Sequence, residues 1–164
     1  MKILISACLL GEPVRYDGRD NASKIVPWQK QIKEWAENDW LVPVCPEILG
    51  GLPTPRPPAE IQTSDGYQVI ARQASVLTNT GTDVTHAFQT GAERTLDIAL
   101  QHRVSVALLT ARSPSCGSQG IYDGSFSKTL RPGVGVTVAL LEQHGIPCYS
   151  PEEIQYIGER IRPQ

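Results

Sequence analysis

Histidine is scarce in this chain. Three residues of 164 carry the side chain most suited to proton transfer near neutral pH. His86, His102 and His144 all fall in stretches read as helix, away from the strand ends where a site is expected. No apolar run approaches the ~20 residues of a membrane span. Lys2 to Leu10 is too short for a secretory leader, and no small-residue cleavage site follows it. A basic stripe is also missing. Fifteen Lys and Arg are scattered against 17 Asp and Glu, for a net charge of −2. That balance argues against a stable nucleic-acid partner or a membrane surface. The four cysteines include no Cys-x-x-Cys pair, the usual local mark of a closed zinc site. No internal repeat is present. Together these absences point to a cytoplasmic, intracellular protein. In that compartment cysteines are more often metal-binding or catalytic than disulfide-bonded.

What is present is one domain's worth of chain, read as a single unit over residues 1–164, with 40% apolar residues. Lys2 to Cys8 reads as a short buried strand ending in cysteine. Val14-Arg15-Tyr16-Asp17-Gly18 is a polar loop with Asp-Gly turn chemistry. Pro27 to Asn38 reads as a helix with Trp28, Ile32 and Trp35 on one face. Trp40 to Cys45 is a second strand ending in cysteine, and Pro43 places it at an edge or a bulge. Pro53 to Pro58 forms a stiff irregular strap. Tyr67 to Ile70 and Ser75 to Leu77 read as short extended pieces. A helix follows from Thr82–Thr85 to about His102, with Asp83 or Thr82 at its start. Val104 to Leu109 is a buried strand. Val134 to Gln143 reads as a helix stopped near Gly145. Ile146 to Tyr149 is a last short strand, and Ser150-Pro151-Glu152-Glu153 opens a terminal helix to about Arg160. Strands alternating with helices imply an α/β fold: a mainly parallel, Rossmann-like sheet with helices on both faces.

In such a sheet, ligands bind beyond the carboxyl ends of the strands. Cys8 and Cys45 each close a strand. Cys116 lies in Arg112-Ser113-Pro114-Ser115-Cys116-Gly117, the loop beyond a later strand. Parallel strands put all three on one rim. Cys148 sits inside a strand reading with no polar company, as a small buried hydrophobe does. Three thiolates with no fourth equivalent suggest a metal centre with one open position, and all-thiolate ligation favours an iron–sulfur cluster or zinc. A lone catalytic cysteine and three buried structural thiols are the other readings of the same spacing.

Five segments also resemble a known family. They are Ser6-Ala7-Cys8-Leu9-Leu10-Gly11, Val14 to Gly18, Cys45-Pro46-Glu47-Ile48-Leu49-Gly50-Gly51-Leu52, Pro55-Arg56-Pro57-Pro58-Ala59-Glu60 and Ser113-Pro114-Ser115-Cys116-Gly117. In this order they are similar to the bacterial thiouracil desulfurases, and the likeness runs nearly the full length of the chain. The resemblance implies a [4Fe-4S] cluster held by Cys8, Cys45 and Cys116, with the thio group of the substrate taken by the fourth iron. It implies conversion of a thiolated nucleobase or nucleoside to its oxo form with release of sulfide. Thr110 stands where a lysine is expected before the serine-rich motif. If that lysine binds substrate, the substrate here differs.

Within that reading Glu47, two residues beyond Cys45, is the candidate catalytic acid or base. Its other role is to cap the turn that follows. Ser113 is the candidate to bond substrate or relay a proton, against a turn role common for Ser-Pro. Ser115, Arg15, Tyr16 and Asp17 are the candidate substrate contacts; the last three are alternatively knitting residues of their loop. Arg56 and Glu60 are expected to pair across the strap. Gly133 to Thr137 either receives an anion at a helix start or packs closely there. Two other functions remain open: a cluster- or zinc-binding sulfur carrier or sensor without turnover, and a metal-free enzyme with Cys116 as nucleophile.

Overall fold

The computed structural model describes residues 1–161. Its centre is a four-stranded sheet. The strands are β1 (Ile3–Ser6), β2 (Leu41–Val44), β5 (Val106–Leu108) and β8 (Cys148–Tyr149), in the order β2-β1-β5-β8. All three pairings are parallel, with Leu4 opposite Val42 and Ala107. Successive side chains of a strand point to opposite faces, and that alternation divides the core in two. Leu4, Val42, Val44 and Ala107 face α4 (Thr85–Gln101) and α5 (Val136–Gln143), meeting Phe88, Ala92, Leu96, Val136 and Leu141. Ile3, Ile5, Val106 and Leu108 face the other way. They meet Ile32 and Trp35 of α1 (Gln29–Glu37) and Ile154 and Ile157 of α6 (Ile154–Ile161). The result is a three-layer α/β/α arrangement, as the alternation of elements implied.

The edges and ends differ from the sequence reading in instructive ways. β2 is an edge strand, and Pro43, which has no donor for a further ladder, is exposed on it. β1 stops at Ser6, its last paired residue, and Cys8 rides on a 3-10 turn, Ala7–Leu10, closed by Gly11 at φ 96°. Pro27 lies within a 3-10 turn, Ala22–Trp28, so α1 starts later than its proline suggested. Tyr67 to Ile70, expected to be extended, is helical: α3 spans Gly66–Ile70. Asp65 explains this, because its carboxylate accepts the Tyr67 N–H at 3.1 Å and caps the turn. Ser150 caps the turn ahead of α6 with Pro151 in first position, as expected, and Glu153 reaches back to complete a capping box.

Two small antiparallel ribbons complete the fold. β3 (Ala59–Ile61) pairs with β4 (Val76–Thr78) directly after the proline strap. β6 (Ile121–Tyr122) pairs with β7 (Leu130–Arg131), a hairpin that hydropathy did not announce. Between Cys45 and the strap lies the one-turn helix α2 (Pro46–Leu49), which packs on α4 through glycine. A Cβ on Gly91 would overlap the Pro46 carbonyl oxygen, and one on Gly50 would overlap that of Ala87. Backbone therefore meets backbone there, and this contact sets where α2 points its side chains.

Candidate active site

The carboxyl ends of β1, β2 and β5 open into a cavity of about 850 Å³. Cys8, Cys45, Cys116 and Glu47 all line it. Each cysteine arrives by a different route. Cys8 comes on the 3-10 turn after β1. Cys45 is the N-cap residue of α2. Cys116 follows β5 in a loop held from both sides. Inside the loop, Ser113 Oγ accepts the N–H groups of Ser115 (3.1 Å) and Cys116 (2.8 Å). From outside, Val136 N–H and Thr137 N–H at the start of α5 donate to the carbonyls of Pro114 and Ser115. The helix-start donors are thus spent on the loop that carries Cys116, and Gly135 lies hard against the Ser115 backbone. Close packing, not an anion, accounts for the glycines before α5.

All four cysteines are free thiols. Burial, with Glu47 and Cys45 adding to it, pushes Cys8 up to about 11. Burial and then Glu47 push Cys45 up to about 11. Cys116, 2% exposed, is pushed well above the usual thiol range by burial first, then by Glu47 and Cys8. Charge placed on one thiol is thus felt by the others. A protonated, buried thiol with no nearby histidine is a poor nucleophile. Three soft donors on one cavity wall instead suit a centre that supplies positive charge. Among the described residues no set of three or more Cys, His, Asp or Glu converges tightly enough to hold one metal ion. A closed zinc site needs donors gathered within ~2.3 Å of a single point. A cluster distributes its ligands over separate irons. Three thiols on the rim with no fourth cysteine beside them are a donor set that fits an iron–sulfur group with three protein thiolates.

The other sequence candidates divide. Glu47 faces the thiols: the Cys45 thiol donates to its Oε2 at 3.6 Å. Arg56 Nη2 lies 4.0 Å from the same oxygen, and both side chains are about nine-tenths buried (9% and 11% exposed). Arg56 also donates to the carbonyl of Val14 at 3.1 Å, and its backbone N–H to Tyr16 O at 2.8 Å. The strap and the Val14–Gly18 loop are thereby one wall. The expected Arg56–Glu60 pair does not form. Glu60 instead accepts the N–H groups of Gly124 (3.0 Å) and Phe126 (3.2 Å), fastening the hairpin loop. Backbone donors there outcompete an arginine already committed to Val14 and Glu47.

Ser113, Arg15 and Tyr16 line the cavity, Ser113 with its oxygen already accepting two loop N–H groups. Asp17 and Ser115 are placed away from it. Asp17 accepts the Arg19 N–H at 3.0 Å and stands 3.8 Å from Arg15. Ser115, 1% exposed, exchanges a 2.8 Å hydrogen bond with Thr137 of α5, which turns its hydroxyl into the loop's support. Asp83 accepts the Thr85 N–H as a helix-start residue. Cys148, expected in a strand core, is 8% exposed in β8 and pairs with Ala107.

Sequence reasoning passed over Asn21 and gave Thr110 no role beyond its departure from the family pattern. Asn21 is 9% exposed, lines the cavity, and gives its Nδ2 to Thr110 Oγ1 at 2.6 Å. A polar side chain this buried is the signal, but burial of a residue in a polar loop is invisible in hydropathy.

An α/β sheet whose carboxyl rim gathers three thiols, a carboxylate and an arginine around one cavity offers the donor types of a soft-metal site. Comparison with known proteins narrows the class. The model of the 2-thiouracil desulfurase family matches residues 3–153, and the chain belongs to that family. It is 41% identical over 155 residues to the Bacillus subtilis (strain 168) protein YbbK, described as uncharacterized, covering 94% of this chain and 99% of that one. Among solved structures it is similar to the [4Fe-4S]-dependent thiouracil desulfidase TudS. The TM-score is 0.85 at 41% identity, covering 98% of this chain and 97% of TudS.

Proposed function

We propose that this protein is an iron–sulfur-dependent desulfurase. It converts a thiolated nucleobase or nucleoside of the thiouracil type to its oxo form and releases sulfide. The observation that supports this most directly is the convergence of Cys8, Cys45 and Cys116 on one cavity beside Glu47. In this reading the three cysteines hold a [4Fe-4S] cluster with one iron free of protein ligands. When bound, the cluster supplies a soft Lewis acid with affinity for a thiocarbonyl sulfur.

The remaining steps belong to the chain. Water adds to the ring carbon as the carbon–sulfur bond breaks, so C=S and H₂O become C=O and H₂S with no net electron transfer. Glu47 takes the proton from that water and returns it to the departing sulfur or the ring nitrogen. Arg56 holds the Glu47 oxygen in register and offsets its charge in a nearly dry site. Ser113 keeps the Cys116 loop closed, and its hydroxyl, which only accepts within the loop, has a proton to give at the cavity wall. Arg15 and Tyr16 form the outer wall, with the guanidinium 5.9 Å from the Tyr16 ring centroid. No helix of the described residues is long and apolar enough to cross a membrane. Three free thiols on one cavity are suited to a reducing compartment, and the cytoplasm is the setting this reading proposes.

The test is iron and acid-labile sulfide content after reconstitution without oxygen, followed by a turnover assay with 2-thiouracil. Close to four irons per chain and release of uracil with sulfide is the expected result. Stoichiometric zinc, or protein that binds cluster yet releases no sulfide from any thiopyrimidine, would overturn the reading.

A further inference from the structure

Thr110 lies two residues beyond the end of β5 and lines the cavity with the three thiols. Its neighbours fix the sense of its hydroxyl. The backbone N–H of Thr110 donates to Ser6 Oγ at 3.0 Å, anchoring it to the end of β1. Asn21 lies on the other side. Its backbone N–H donates to the Cys8 carbonyl at 2.7 Å, so Asn21 is tied to the turn that carries a ligand thiol. Its carboxamide has one orientation that satisfies both partners. Arg15 can only donate, and its Nη1 lies 3.5 Å from Oδ1, so the carbonyl side faces Arg15. The NH₂ side then faces Thr110, donating to Oγ1 at 2.6 Å. A lone pair of the Thr110 hydroxyl is thereby used, and among the described residues no protein acceptor takes its proton. The hydroxyl is left with a proton to donate, on a residue that lines the cavity.

We infer that Thr110 is the specificity-determining donor of this cavity, reading a ring carbonyl oxygen of the substrate, and that Asn21 is the positioning residue that keeps its proton turned inward. The inference rests on the desulfurase reading above and deepens it. It predicts selection of a base that keeps a carbonyl beside the thiocarbonyl over one that carries an amino group there. 2-Thiouracil should be preferred to 2-thiocytosine, and uracil should bind more tightly than cytosine.

Three variants test it, each measured for turnover of both thiobases and for equilibrium binding of uracil and cytosine. Thr110→Val removes the donor at nearly constant volume. It should raise KM for 2-thiouracil and weaken uracil binding about tenfold, with cytosine affected less. Thr110→Ser should keep the uracil-to-cytosine ratio, which separates the hydroxyl from local packing. Asn21→Asp is the sharper test. A carboxylate cannot donate, so the Thr110 proton turns toward residue 21 and lone pairs face the cavity. The preference should then shrink about tenfold or invert toward cytosine. An unchanged ratio in Thr110→Val or in Asn21→Asp overturns the inference while leaving the desulfurase reading intact. Wild-type protein that binds uracil over cytosine but desulfurates neither thiobase overturns the desulfurase reading alone. Wild-type protein that binds uracil no better than cytosine overturns the inference directly.

Discussion

Two places in this molecule hold cysteine in nearly the same chemical condition. Cys8 and Cys116 at the rim and Cys148 in β8 are all buried free thiols, and burial raises the proton affinity of each. What separates them is company. The rim cysteines sit where strands have ended and loops begin, so Glu47 and one another are within electrostatic reach. Cys148 is inside the ladder beside Ala107, its thiol donates to the carbonyl of Ile146 at 3.5 Å, and it has the Glu142 carboxylate within reach but no other thiol. Burial alone makes a cysteine inert. Burial at the carboxyl edge of a parallel sheet, with other thiols arriving from separate strands, gives it the company that the proposed ligand role requires.

That contrast is broken most severely by Cys→Ser at position 8, 45 or 116. Each change should abolish iron retention after reconstitution and drop sulfide release to background. Cys148→Ala should keep full iron content and turnover, read by iron analysis and the same assay. Glu47→Gln sharpens the contrast by separating holding from reacting. It should retain iron while lowering kcat about 10²- to 10⁴-fold, the range of a lost proton-transfer group. Gly91→Ala attacks the support behind the rim. A methyl pressed against Pro46 should displace α2, cost about 1–3 kcal/mol in denaturant unfolding, and lower kcat through Glu47. Trp35→Ala removes a side chain 2% exposed in the core on the opposite sheet face. It should cost about 3–5 kcal/mol, with iron per folded chain unchanged. The smallest effect belongs to Cys148→Ala itself, about 1 kcal/mol, and the native Cys148 thiol should resist alkylation until unfolding.

Much of the scaffold was legible before the fold. The parallel sense of the strands followed from their alternation with helices, and Pro43 marked an edge or a bulge through its missing donor, of which the edge is found. The start of the terminal helix at Ser150 and Pro151 was readable because cap and proline are neighbours in the chain. Local signals were less trustworthy when one side chain overrode propensity. Asp65 turned Tyr67–Ile70 into a helix, and Pro27 was taken into a 3-10 turn. The β6–β7 hairpin was missed because Glu60, far away in the chain, supplies the acceptor that holds it.

Within the site, residue type and motif order pointed to Cys8, Cys45, Cys116 and Glu47 as candidates, and the fold brings them to one cavity. Arg56 was assigned the wrong carboxylate. The strap was visible as prolines, but its path past Val14 and Tyr16 was not. Ser115 and Asp17 illustrate the limit for polar residues: a hydroxyl or carboxylate in a motif serves the cavity or the loop according to where its backbone turns. Asn21 lay in a stretch that reads as an ordinary polar loop.

By itself the sequence determined which chemistry was available: soft thiol donors, a carboxylate beside one of them, few histidines, and a strand–helix alternation that makes a parallel sheet. Those are properties of residue type and short-range period, which survive without a structure. The tertiary structure alone decided which of these groups share a cavity and in what sense each hydrogen bond runs. Such choices depend on contacts between segments distant in the chain. Arg56 goes to Glu47 rather than Glu60, and Asn21 turns its amide toward Thr110, because the neighbours packed around each offer it those partners and no better ones.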